Sequence, residues 1–210
     1  EYRLMMDTLS ANWLAALVTV AILLAYEITL LLVQRRSPQR LARSAHAGLR
    51  EEWLAALSRQ PGSEILAVQT LRNALMSATM TASTAALALI GAVTLTAPSV
   101  GVLAPFSTRL ALELTLMTML FASLVCSAMA VRYYNHAGFV VAMPVGSDER
   151  QRWAPTATVY LRRAGLLYSW GLRHLLMVAP VLAAIVYPLA GPVAAVLVVM
   201  ALAAFDRFPG

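Results

Sequence analysis

The residues able to do chemistry are few and are strung through apolar sequence. Gln69, Arg72 and Asn73 stand at i, i+3 and i+4, so a helix puts two amides and a guanidinium on one face. Arg132, Tyr134, Asn135 and His136 lie within one short run, RYYNH. Such a layer suits the vestibule of an ion or solute path, or contact with lipid phosphate. The plainer use, interhelical hydrogen bonding that locks a bundle, is the one taken here. Glu27 precedes Arg35 by eight residues and Arg72 follows Glu64 by eight. At 1.5 Å per residue each lies ~12 Å in from the same side. That predicts an intramembrane Glu27–Arg72 pair, since ionised groups inside a span need partners; the alternative is an Arg72 that snorkels to the headgroups above a neutral Glu27. Glu113, four residues after Arg109, is explained by a local ion pair.

Other chemistries find little support. His46, His136 and His174 fall on three separate segments, without HxxxH or HxH spacing, so no metal or haem site is expected. No paired carboxylates, Ser/His/Asp set or glycine-rich phosphate loop falls on a plausible helix. The one cysteine, Cys126, sits in an apolar run, which reads as packing and excludes an internal disulfide. The expectation is a chain that is not an enzyme and has no cofactor.

The elements that hold these residues are membrane spans. The 210-residue chain is 60% hydrophobic and 12% charged, against about 25% charged in soluble domains. Its length allows about four spans of roughly 20 residues. The central one, about 65–95, is poor in bulk. Stepping by four gives Gln69, Asn73, Ser77, Thr81, Ala85 beside Thr70, Ala74, Ala78, Ala82, Ala86. Rows of small or hydroxylated side chains permit close helix packing in lipid, and the expected packing face is Ala74, Ser77, Ala78, Thr81, Ala82 and Ala85. Other spans are expected at about 12–34 and 109–131, the latter with a possible extension through His136 towards Ala142. Leu4 to Met6 is too short for a signal-peptide core, so the first span reads as an uncleaved anchor.

Two amphipathic helices complete the set. One, about 38–59, starts at Ser37-Pro38, a helix N-cap followed by proline at the first position; it ends at Pro61-Gly62, and Ser63 is expected to cap the next span. The other, about 156–173, follows a polar loop from Pro144 to Pro155 and leads into a final apolar run, 175–205. That run is broken by Pro180, Pro188 and Gly191-Pro192. One kinked span is the reading taken, and a re-entrant hairpin is the alternative. The connection between the second and third spans carries Pro98, Gly101 and Pro105.

Charge sets orientation. All 16 basic residues are Arg. Six lie in the loop after the first span and six between the third and fourth, against Arg3, Arg109 and Arg207 on the other side. Both long loops are therefore expected in the cytoplasm, with both termini outside if the last run crosses once. The net charge of +6 points to anionic lipid at the cytoplasmic face rather than to nucleic acid.

The stretches ILAVQTLRNALMSAT (Ile65 to Thr79), AVRYYNHAGFVVA (Ala130 to Ala142) and YLRRAGLLYSWGLRHLL (Tyr160 to Leu176) resemble the bacterial and plant membrane proteins grouped as domain of unknown function 599. The first carries most of the likeness, because an LRN triplet opening a small-residue span is unusual. The resemblance extends over nearly the whole chain. It implies a protein of four or so spanning helices and supplies neither an activity nor site residues. The expected fold is a single all-α, polytopic membrane domain with four transmembrane helices and two cytoplasmic amphipathic helices, in a bacterial inner membrane. The expected role is structural or accessory, as a homo-oligomer or a subunit of a larger membrane complex. A channel or transporter with a water-filled path along Ser77, Thr81 and Thr84 is the alternative, and a haem- or metal-dependent membrane enzyme a distant third.

Overall fold

The computed structural model describes residues 2–36, 42–100 and 106–206, in six helices: α1 (Tyr2–Arg36), α2 (Ala42–Leu57), α3 (Glu64–Val100), α4 (Thr108–Ala142), α5 (Asp148–Val186) and α6 (Ala190–Asp206). The described residues contain no strand. Four of the helices, within α1, α3, α4 and α5, are long and apolar enough to cross a membrane; α6 is apolar but shorter. The expected start at Ser37-Pro38, Arg40, Gly101, Pro105 and Arg207 lie outside the described residues, as do the side chains of Arg3, Arg43 and Pro98.

Local chemistry sets the turns. Gly62 and Gly146 adopt positive φ (85° and 89°), a region a side chain disfavours. Ser63 does not cap α3 with its hydroxyl. Its Oγ turns back and donates to the carbonyls of Leu57 (3.1 Å) and Gln60 (2.7 Å), closing the end of α2. The α4–α5 turn is tied down from both sides. Arg150, 3% exposed, donates through Nη1 to the carbonyls of Val141 (3.1 Å) and Met143 (2.7 Å). Glu64, at the start of α3, accepts from the amide of Val145 at 2.8 Å.

α5 differs from the sequence expectation. The amphipathic segment 156–173 and the start of the run 175–205 form one helix of 39 residues, about 58 Å long. Ser147 caps it, its Oγ accepting from the Arg150 amide, and Asp148 and Glu149 occupy the first turn, where the helix dipole favours them. The helix therefore begins within the segment read as a loop. Pro155 and Pro180 lie inside it. The break comes instead at Tyr187, whose extended backbone (φ −146°, ψ 106°) is what a residue before proline prefers. After Pro188 the chain reverses, and α6 runs back along α5 so that Asp206 meets Arg173. The single kinked span over 175–205 is replaced by a helical hairpin.

Packing is organised in two layers strung along α4 and α5. One joins Leu54 and Leu57 of α2, Ala67, Leu71 and Ala78 of α3, Ala130 to Val141 of α4, and Ala157 to Ala164 of α5. The other joins Leu23 of α1, Leu112 to Leu120 of α4, Met177 and Val181 of α5, and Ala195 and Leu202 of α6. Backbones approach closely at glycines, as membrane packing without a hydrophobic drive between helices requires. A Cβ on Gly171 would collide with Ser127 Oγ and stand 3.3 Å from Ser123 O and Ser127 N; Ser123 Oγ donates to the Gly171 carbonyl at 2.7 Å. α3 packs almost wholly on α4.

Gly171→Ala should therefore force α4 and α5 apart and lower stability by about 1–3 kcal/mol. Gly138→Ala, whose Cβ would meet nothing within 4 Å, should melt at or slightly above the wild-type temperature. Thermal unfolding of the two variants in the same detergent checks the pair.

Candidate functional site

Glu27, Arg173, His174 and Asp206 gather where α1, α5 and α6 meet. Arg173 is 4% exposed. Its Nη2 donates to Asp206, and the Tyr26 hydroxyl donates to the same carboxylate. The guanidinium also lies near the rings of Trp170 (5.5 Å) and Tyr26 (6.0 Å), within reach of a cation–π attraction. Its Nε and Nη1 are buried without a hydrogen-bond partner.

Beside this cluster, His174 Nδ1 lies 2.8 Å from the Trp170 carbonyl. A carbonyl only accepts, so Nδ1 carries a proton. Nε2 then faces Glu27 Oε1 at 3.2 Å, within ion-pair distance but out of hydrogen-bond alignment. A proton on one of the two groups makes that contact favourable. The structure thus gives Glu27 a partner other than the expected Arg72, because α5, not α3, packs beside this part of α1. Arg72 itself is exposed.

Arg50 of α2 is the third basic group. Its guanidinium lies on Gly165 of α5, where a Cβ would overlap it, and its Nη1 is buried and unpartnered. Two cavities flank it. One, about 350 Å³, opens between α2, α5 and the end of α6, and Arg50, His46, Arg173 and Asp206 line it. The other, about 260 Å³, lies between α2, α3, α4 and Leu161 of α5.

The expected polar layer is split. Tyr134 is 4% exposed and lines the smaller cavity with Thr70 and Ala74. Gln69, Arg72, Asn73, Arg132, Asn135 and His136 are all exposed, with the His136 ring 5.8 Å from that of Tyr160. Of the expected packing face, Ala78, Thr81 and Ala85 are buried, Ala74 and Ala82 half-buried, and Ser77 exposed. Glu113 pairs with Arg109 at 2.9 Å. His46, His136 and His174 stand in three different surroundings, and no group of three or more His, Cys, Asp or Glu able to hold a metal ion occurs among the described residues.

Sequence reasoning missed the Arg173–Asp206–Tyr26 cluster. The signal was present: Arg173 and Asp206 stand 15 and 18 residues either side of Pro188, so a hairpin at that proline brings them level.

These features define a multi-pass helical membrane protein in which the buried Arg173 is paired with Asp206 inside the bundle. The family described as "Protein of unknown function, DUF599" matches residues 14–209, and the chain belongs to it. Comparison with curated proteins and with solved structures finds no match.

Removing one member of a buried pair leaves the other uncompensated, at about 3–5 kcal/mol. Asp206→Asn should accordingly lower the melting temperature sharply. Arg173→Met combined with Asp206→Leu should recover most of the loss, because both charges go together. A double-mutant cycle of thermal stability measures the coupling.

Proposed function

We propose that this chain is a structural or accessory subunit of the bacterial inner membrane, without enzymatic activity, that assembles through the outer face of α3 with copies of itself or with other membrane chains. The observation that carries this reading is a stripe of small residues that the chain's own fold leaves uncovered. Thr70, Ser77, Thr84 and Gly91 recur every seven positions and all are exposed. A Cβ on Gly91 would meet nothing within 4 Å. Small residues at such spacing let a second helix approach closely in lipid.

The hydroxyls on this face favour packing over water. Thr70, Ser77 and Thr84 donate to the carbonyls four residues back, Leu66, Asn73 and Met80, at 2.9–3.1 Å. Their donors are thus already satisfied. In this reading the arginine-rich ends of the helices and amphipathic α2 face the cytoplasm, where exposed Arg72 and Arg132 meet anionic headgroups. A channel would need its path between copies, because Ser77 and Thr84 face outward from the single chain.

The native mass of the protein, extracted from its host membrane into nanodiscs, tests the reading. Assembly predicts a homo-oligomer or a defined hetero-complex; a lone monomer would sink the proposal. Ser77→Leu with Thr84→Leu should shift the mass towards monomer while changing the stability of the chain itself by no more than about 0.5 kcal/mol. Asn73→Ala should leave assembly and flux alone. Altered ion flux through intact assemblies carrying that change would favour the channel.

A further inference from the structure

We propose that the cavity between α2, α5 and the end of α6 binds a phosphate-bearing anionic amphiphile, its phosphate on Arg50 and Arg173 and its apolar chain along α5 and α6. The donors come first. Arg173 is buried and uses Nη2 on Asp206, yet Nε and Nη1 have no partner. Nη1 of Arg50, on the same cavity, is likewise buried and unpartnered. Buried donors without partners are costly, and an anionic oxygen satisfies them best because charge-assisted hydrogen bonds are the strong ones. Among the described residues Asp206 is the one carboxylate on the cavity wall. With it committed to Arg173 and Tyr26, the two guanidiniums leave a net positive charge for a ligand.

Beyond His46, Tyr168 and Ser169 the remaining wall is apolar. Leu172, Leu176, Leu202 and Phe205 line it, and Leu176 and Phe205 are 52% and 81% exposed, so this side opens sideways. Depth fits the same ligand. With the Tyr187 turn set at the opposite membrane surface, Arg173 lies ~21 Å along α5 and Gly165, beneath Arg50, ~33 Å. The hydrocarbon core is ~30 Å thick. The cavity therefore straddles the boundary between acyl chains and headgroups, basic on one side and greasy on the other. A soluble phosphate would use only the basic half. The site shares no residue with the outer face of α3, so its test and the assembly test can fail separately.

Delipidated protein in neutral detergent is titrated with dihexanoyl phosphatidylglycerol, dihexanoyl phosphatidylcholine and inorganic phosphate, with melting temperature and native mass spectrometry as readouts. Expected is a saturable rise in melting temperature with phosphatidylglycerol, one lipid retained per chain, and affinities for the other two weaker by about tenfold or more. Arg50→Gln should weaken phosphatidylglycerol about tenfold at an unchanged lipid-free melting temperature. Gly165→Ala should do the same by another route, displacing the flexible guanidinium from its seat on α5. The lipid-free melt of each variant separates loss of the site from loss of the fold. Equal binding of phosphatidylcholine would overturn the proposal, as would wild-type affinity in both variants when folded. Inorganic phosphate binding as tightly as phosphatidylglycerol would overturn the amphiphile. Should neither variant fold, absence of anionic lipid from mildly extracted wild-type protein would overturn it too.

Discussion

An ionised arginine buried against apolar helices has to be compensated, and much of this bundle follows from how Arg173 meets that demand. α5 alone offers it only the Trp170 ring. The carboxylate comes from Asp206, at the far end of the sequence run that follows. Reaching it requires α5 to stop, the chain to reverse at Pro188 and α6 to run back along α5 for its whole length. Tyr26 then adds α1 through its hydroxyl. Three helices are thereby held at one level by one charge cluster. Pairs of this kind contribute little net stability compared with a well-packed apolar substitute. The Arg173–Asp206 contact, between residues 33 apart in sequence, is compatible with the hairpin and not with a straight continuation, which the hydrophobicity of 175–205 would equally allow.

What was legible in the sequence followed from long, repeated signals. Membrane spans need about 20 apolar residues, and the apolar parts of α1, α3 and α4 announce themselves that way. The likeness in QTLRNALMSAT carried the family. α5 was harder, because two rules conflict along it. Its first half is charged and amphipathic and its second half apolar, so composition changes at Arg173 while the backbone does not. Proline misled in the same region: Pro155 and Pro180 are accommodated within the helix, whereas Pro188 ends it. Conversely Ser147-Asp148-Glu149, an N-cap with two acids in the first turn, was a readable helix start inside what looked like a loop. The Glu27–Arg72 pair failed for a different reason. Depth along a helix can be counted from sequence, but which helices are neighbours cannot, and α1 lies against α5 and α6 rather than α3.

The small-residue face of α3 shows the same limit. Small residues surround much of that helix, so sequence alone could not say which rows were used. The chain spends Ala67, Ala78, Thr81, Ala85 and Ala92 on α4, and the row Thr70, Ser77, Thr84 and Gly91 stays outside. Hydroxyls in a span are ambiguous in principle, since they can line water or pack against a neighbour. On α3 the ambiguity narrows, because each of these three donates to its own helix and presents mainly a small, smooth contour. Water needs two to four polar partners to be held in such a place. A carbonyl already engaged by a helix bond and by a hydroxyl offers little more. The amides of Gln69 and Asn73 are the exception: both are exposed, and they lie about as deep into α3 as Arg72. In the accessory-subunit reading the arginines of α3 and α4 mark headgroup level, where polar side chains stay wet without any pore. On that reading the face grades from water-tolerant at the α2 end to dry along the rest, the profile the proposed packing surface requires.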